Sequence, residues 1–343
     1  MKLKEILKSV SYASFCGMML VCCDSNEDVN LKNSAITYEL PDELKIKLKQ
    51  SDGMLVFKDE CQFDEITNML VYETEKYISD YFSKFSETLT KEEINDIVEE
   101  EGFNPNAVYE SFESYNGFNS LRSKLKQQED EWLEKEDPDE ENPTFYPLSE
   151  RCLPIANTDG EYQIGMNIYR VEKDGDVYVL DEGDYETLAN IRKGNLNERI
   201  IGSNLRKTRM AATECKAYKR ITGTYESNGH KMEMILDLDW DGWGSAAKAK
   251  VLSYKKKKKL IGGGSKWGRE WTGMGAQVHL QDYNINCEKQ GGPRDSGKKS
   301  HNWAYYVSVH LYQAGTGFRV KPDRTFWGKY WTDDIEYQFL VFE

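Results

Sequence analysis

Asp137-Pro138-Asp139-Glu140-Glu141-Asn142-Pro143 is the stretch on which the fold reading turns. Two prolines and four acidic residues in seven positions neither continue a helix nor join the middle of a sheet. On its N-terminal side apolar residues recur at helical spacing, and on its C-terminal side they alternate. That change of period predicts an α+β chain: a helical region over 35–136, a linker over 137–143, and an antiparallel β-sandwich-like region over 144–343.

Upstream, Phe63, Ile66, Met69, Leu70, Tyr77, Ile78 and Tyr81 fall on one helical face. Thr90 and Glu93 have capping-box spacing ahead of Ile94 and Ile97, and Gly102 supplies a stop. Asn104-Pro105 reads as an N-cap followed by proline in the first turn. A further helix is expected from Phe118 to Lys135, with Leu121, Leu125, Trp132 and Leu133 inward. Downstream, Gln163 to Tyr169 and Val177 to Leu180 flank the turn Lys173-Asp174-Gly175-Asp176, a hairpin signal. Met232, Met234, Leu236, Leu238 and Trp240 alternate with mainly polar neighbours. Tyr305, Val307, Val309 and Leu311 do the same, as do Tyr337, Leu340 and Phe342 with one slip.

Only 39% of the chain is hydrophobic, but 12% is aromatic, which excludes a disordered polymer and implies a globular protein with a polar surface. The net charge of −14 conceals a division. Residues 24–160 carry 34 acidic against 13 basic side chains, and residues 200–343 carry 15 against 24. Seven of the eight tryptophans lie in the basic part. Two readings follow: two regions with different partners, or two regions that dock on each other.

Residues 1–22 have the form of a signal peptide. Lys2, Lys4 and Lys8 precede a largely apolar run, Val10 to Val21, too short to span a bilayer. Leu20-Val21-Cys22-Cys23 resembles the lipobox of bacterial lipoproteins and points to lipidation at Cys23. The acidic segment 23–34 then reads as a tether, and its Asp24-Ser25-Asn26-Glu27-Asp28 resembles the surface-export signal of Bacteroidetes lipoproteins. These resemblances imply an outer-membrane, lipid-anchored, surface-exposed protein. Gly117-Phe118-Asn119-Ser120-Leu121-Arg122 and Asn157-Thr158-Asp159-Gly160-Glu161-Tyr162-Gln163-Ile164-Gly165 resemble segments of Bacteroides surface lipoproteins that carry a domain of unknown function. That resemblance implies no activity.

The strongest binding candidate is the run Lys255, Lys256, Lys257, Lys258 and Lys259, followed after a glycine-rich loop by Lys266, Trp267, Arg269 and Trp271. Clustered cations beside flat rings suit an anionic polymer, such as an acidic glycan or the phosphates of lipopolysaccharide. The bland alternative is a hairpin whose lysines discourage edge-to-edge pairing. No recognised nucleic-acid motif accompanies the lysines, so nucleic acid is not an expected partner. Trp240, Trp243, Trp327 and Trp331 join Trp267 and Trp271 as candidates for stacking on neutral sugars, or as core.

Asp237-Leu238-Asp239-Trp240-Asp241-Gly242 matches the first half of a calcium loop. Its twelfth position is Lys248 where a bidentate Glu is needed, so a strand edge is the better reading and no metal or cofactor is called for. Cys215 and Cys287 are the preferred disulfide among Cys61, Cys152, Cys215 and Cys287. HExxH and GxSxG patterns are absent from the sequence. The expectation is therefore non-catalytic binding of a glycan, an anionic polymer or an envelope protein. A structural or assembly role comes second, and a glycan-active hydrolase a distant third.

Overall fold

The computed structural model describes residues 38–135, 142–173, 177–195, 206–207, 215–216, 219–240, 244–258, 265–284, 286–314 and 318–343. The signal, Cys23, the tether, most of the linker, the hairpin turn at 174–176 and the glycine loop at 261–264 lie outside them.

Asp52 and Gly53, both at positive φ, turn a short hairpin between β1 (Lys49–Ser51) and β2 (Met54–Phe57). Four helices follow: α1 (Glu60–Ser83), α2 (Lys91–Glu101), α3 (Ala107–Asn116) and α4 (Leu121–Leu133). Thr90 and Glu93 form the reciprocal capping box, and Gly102 ends α2 in the left-handed conformation. Helix α3 starts two residues later than Asn104-Pro105 suggests. Asn104 instead accepts a hydrogen bond from the Asn106 amide at 3.0 Å.

Chain residues on both sides of the linker build one six-stranded sheet. Beyond β1 and β2 it contains β3 (Glu161–Ile164), β4 (Asn167–Val171), β5 (Val177–Asp181) and β6 (Arg206–Lys207), in sequence order. All pairings are antiparallel except β2 with β3, where Val56 lies opposite Gln163. Helices α1, α3 and α4 cover one face through Phe57, Phe63, Phe112, Tyr162 and Val171. Helix α5 (Tyr185–Arg192) covers the other through Leu188 and Ile191.

Two expectations change here. The region 35–136 is not helical throughout, because Met54-Leu55-Val56-Phe57 buries both faces as a strand. The division at 137–143 is not structural either, since the parallel pair β2–β3 joins the two sides and Tyr38–Glu343 cluster as one unit.

The rest of the chain forms two five-stranded sheets. One holds β7 (Lys219–Ser227), β8 (His230–Trp240), β9 (Gly244–Lys258) and β10 (Ser265–Arg269). The other holds β11 (Thr272–Leu280), β12 (Arg294–Asp295), β13 (Lys299–Ala304), β15 (Trp327–Thr332) and β16 (Gln338–Val341). Between β13 and β15, β14 (Tyr306–Ala314) returns to pair with β9 in the first of the two. Met232, Leu236, Val251 and Val309 from one sheet share a core with Val278 and Tyr330 from the other. The Tyr330 hydroxyl donates to the Ile235 carbonyl at 2.7 Å, tying the sheets together.

The β7–β10 and β14 sheet has a second buried face, and it is charged. Lys231, Glu233, Asp237, Lys248 and Lys250 alternate with its apolar residues and point towards the helices. Cys215 and Cys287 are joined by a disulfide, with Cα atoms 5.5 Å apart. Among the described residues no helix is long and apolar enough to cross a membrane.

Candidate functional site

The lysine strip lies where β9 pairs with β10, with Lys257 opposite Lys266 and Lys256 opposite Trp267. Alternation sends its side chains to two sides. Lys255 and Lys257 reach α2 and meet Glu92 at 3.4 Å and Glu99 at 2.5 Å. Lys266 meets Glu134 at 2.5 Å, just beyond α4. Arg269 binds Glu129 and, at 2.8 Å, Asp130. Lys256 and Lys258 are exposed, and Lys259 lies outside the described residues.

Neither tryptophan of this stretch offers a free face. Trp267 is 6% exposed, with the Lys231 and Lys256 ammonium groups 5.1 and 5.6 Å from its ring centroid. Trp271 is equally buried, packed between Phe82 and Tyr305. The cations and rings that the sequence offered as a binding surface are thus largely engaged with each other and with the acidic helices. Of the two readings of the charge division, docking is the one this geometry carries.

Behind the strip runs a hydrogen-bonded network. The Tyr254 hydroxyl donates to Glu129 at 2.8 Å and accepts from the Asn142 amide at 2.6 Å. Asn142 also donates to Glu233, which pairs with Lys231 at 2.8 Å. Burial, reinforced by Glu129 and Glu233, pushes the Tyr254 phenol well above its usual range, so it stays a donor. His230, Glu270 and Asp334 bring possible metal-ligating atoms within 4.8 Å of one another. The Lys91 ammonium already stands among them, bound to Asp334 and 3.4 Å from Glu270, so the chain supplies its own cation.

Asp237, from the half-match to a calcium loop, lies in β8 and is fully buried against Arg220 at 2.8 Å and Lys248 at 3.7 Å. Strand β8 is interior, flanked by β7 and β9, so the alternation is that of a central strand and not of an edge. Asp241 and Gly242 lie outside the described residues.

An open cleft of about 460 Å³ lies at the other end of the same charged face, between α1 and strands β13 and β14. That volume is in the range of small-ligand sites. Helix α1 lines it with Val71, Thr74, Ile78 and Phe82 and leaves Glu75, Ser79 and Ser83 exposed beside them, each set at helical spacing. Strand alternation turns Tyr306, Ser308 and His310 of β14 into it while Val307 and Val309 face the sheet-to-sheet core.

Its aromatic wall is continuous. Trp303, half-buried, stacks on Phe82 at 5.5 Å, and Phe82 meets Trp271 at 4.7 Å. Trp271 meets Tyr305 at 5.1 Å, and Tyr305 meets Tyr306 at 5.1 Å. The run ends at Arg122, whose guanidinium lies 4.2 Å from the Tyr109 centroid and 5.9 Å from that of Tyr306.

Arg122 is held by its Nε, which donates to Asn106 Oδ1 at 3.0 Å. Its Nη atoms are less committed: Tyr306 Oη is 3.5 Å away and Glu150 is 4.0 Å away. Burial works against the ionised Glu150, but Lys250 at 2.9 Å, Lys248 and Arg122 overcome it and hold the carboxyl down at about 2. Burial is also the main cause that lowers His301 and His310, with Lys299 adding to both and Lys248 to His310. Both imidazoles are therefore neutral at pH 7 in a field that is on balance positive. Burial pushes the Tyr109 phenol up to about 12.

Trp327 and Trp331 lie on neither site. They are half-buried on the outer face of the third sheet, where Trp327 stacks on His279 at 4.8 Å and Trp331 meets Tyr337 at 5.4 Å. Trp243 and the side chain of Trp240 lie outside the described residues. The two segments quoted for their family resemblance meet: the Leu121 amide donates to the Ala156 carbonyl at 2.8 Å, and Ser120 bridges Asn157. Ser120 caps α4 and so sets the position of Arg122 two residues on. Comparisons with protein-family models, curated proteins and solved structures find no match to this chain.

Proposed function

We propose that the chain is a lipid-anchored envelope protein, held through Cys23 at the outer-membrane surface, that binds a glycan in the α1–β14 cleft without chemistry. The two C-terminal sheets, which share one core, are read here as a β-sandwich that carries the cleft. The observation behind the binding reading is the pair of half-buried rings, Trp303 at the rim and Tyr306 beside Arg122, set on a buried layer of Phe82, Trp271 and Tyr305. Aromatic faces suit the apolar faces of sugar rings, and four serines supply hydroxyls beside them (Ser79, Ser83, Ser149 and Ser308). The lysine strip has no part in this reading, because acids of α2 and of the end of α4 engage Lys255, Lys257 and Lys266.

The test is retention of the full chain on arrays of bacterial and host glycans, with Trp303→Ala beside it. Specific retention that disappears in Trp303→Ala is expected. Retention indifferent to Trp303, or none on any glycan, would overturn the reading. A structural or assembly role is the second reading, favoured by the exposed Tyr337 and Phe339 on the outer sheet. Specific co-purification of an envelope protein, lost on changing Tyr337 and Phe339, would support it. For the anchor, Cys23→Ala should leave the membrane fraction or accumulate as uncleaved precursor.

A further inference from the structure

Resting on that reading of the cleft, we infer that its ligand is acidic: a carboxylated sugar whose carboxylate seats on Arg122 while its ring, or the next one, stacks on Trp303. Three observations lead there.

The first is the state of the guanidinium. Its side chain is 12% exposed, its Nε is used by Asn106, and among the described residues its Nη atoms have only the distant Tyr306 and Glu150. A guanidinium presents five donors in a rigid fork that matches a carboxylate with two parallel hydrogen bonds. Tyr306 Oη beside it can donate a third.

The second is the balance of charge. Of the cations that line the cleft, Lys299 pairs with Glu75 at 3.2 Å, Arg151 with Asp64 at 2.8 Å and Lys248 with Asp237 at 3.7 Å, whereas Arg122 stands 4.0 Å from Glu150. Glu150 is turned towards Lys250, 2.9 Å away, rather than into a hydrogen bond with Arg122. An incoming carboxylate therefore meets a guanidinium whose nearest acid is already engaged.

The third is the order of the groups. Rings come first from the rim and the cation last, with hydroxyls along the way. Ser308 Oγ is buried on the cleft side of β14 without a hydrogen-bond partner among the described residues. That order fits a hydroxylated ring ending in an acid better than a free phosphate, which needs no ring wall. It also fits better than an aromatic acid, which would leave the serines unused.

The experiment is calorimetric titration of the full chain with trigalacturonate, with its trimethyl ester, and with a neutral trisaccharide of the same length. The ester keeps rings and hydroxyls and removes only the charge. The acid is expected to bind about tenfold or more tightly than the ester, as a charge-assisted pair implies, and to weaken as salt rises. Arg122→Lys, which keeps the charge but loses the fork, should cut that preference. Trp303→Ala should weaken acid and ester alike, while Trp331→Ala should change neither. Trp303 and Trp331 are only half-buried, so these two variants keep the test readable if Arg122→Lys unfolds.

Equal binding of acid and ester, sensitive to Trp303, would overturn the acidic ligand and leave the glycan cleft standing. Acid binding indifferent to Trp303 would place the site elsewhere and overturn both. Failure of all three trisaccharides to bind would overturn the inference. The array result would then decide separately whether the cleft takes another glycan.

Discussion

Two parts of one sheet behave differently. At the β9–β10 end, Lys255, Lys257, Lys266 and Arg269 meet Glu92 and Glu99 of α2, Glu134 just after α4, and Glu129 of α4. At the β14 end, Tyr306, Ser308 and His310 face a cleft that α1 flanks without filling. The richer end in charge is the one the protein uses to hold itself together. The end with mixed rings, hydroxyls and one underused guanidinium is the one left accessible. A block of like charge is a weak pointer to a ligand when the same chain carries the opposite block.

Each side of that contrast can be broken. The largest effect is expected from Trp267→Ala, which empties a ring-sized space beside Trp132, Ile235, Leu252 and Tyr254. A loss of about 3–5 kcal/mol in unfolding free energy, read by urea denaturation, is expected for such a truncation. A loss near zero would mean that Trp267 is not the core residue described here.

Glu129→Ala should cost about 3 kcal/mol, because it leaves the buried Tyr254 hydroxyl without its acceptor and the Arg269 guanidinium with Asp130 alone. If the variant is as stable as wild type, the network behind the strip is not structural.

Acid should act on the cleft end through Glu150. Its folded-state carboxyl lies at about 2, below the ordinary value of about 4.3. Its contribution is therefore whole above that ordinary value and fades as pH falls from about 4.3 towards about 2. The stability gap between wild type and Glu150→Gln should close across that window. A gap that stays constant or widens on acidification would contradict the pairing with Lys250.

The smallest effect belongs to the outer salt bridges. Glu99 is 62% exposed, so Lys257→Ser should cost at most about 1 kcal/mol, and less at high salt.

Much of the local structure was legible. The Thr90–Glu93 box, the Gly102 stop and the alternations of β8 and β14 are local signals, and local physics decides them. Cys215 and Cys287, preferred as a pair in the sequence, are joined in the structure. Strand β2 was hidden inside a helical stretch because four apolar residues have no distinguishing period. The Asp52-Gly53 turn just before it was the available signal. The parallel pairing of Val56 with Gln163, which removes the boundary at the linker, depends on contacts a hundred residues apart that no local pattern encodes.

The cleft was illegible for the same reason. Phe82, Arg122, Glu150 and the pair Trp303 and Tyr306 come from four separate places in the chain. Only Arg122 stood in a motif that drew attention, and it did so for its neighbours and not for its charge. The lysine strip, by contrast, was conspicuous because its charges are consecutive, and consecutive charges say nothing about what faces them.

The most direct test of this account sets the two ends against each other in one measurement. Glycan retention is compared for wild type, Trp303→Ala, and a variant with Lys255, Lys257 and Lys266 all changed to Ser. Trp303→Ala is expected to lose retention, while the triple variant keeps it with somewhat lower stability. Retention lost in the triple variant and kept in Trp303→Ala would return the binding site to the lysine strip and contradict the account.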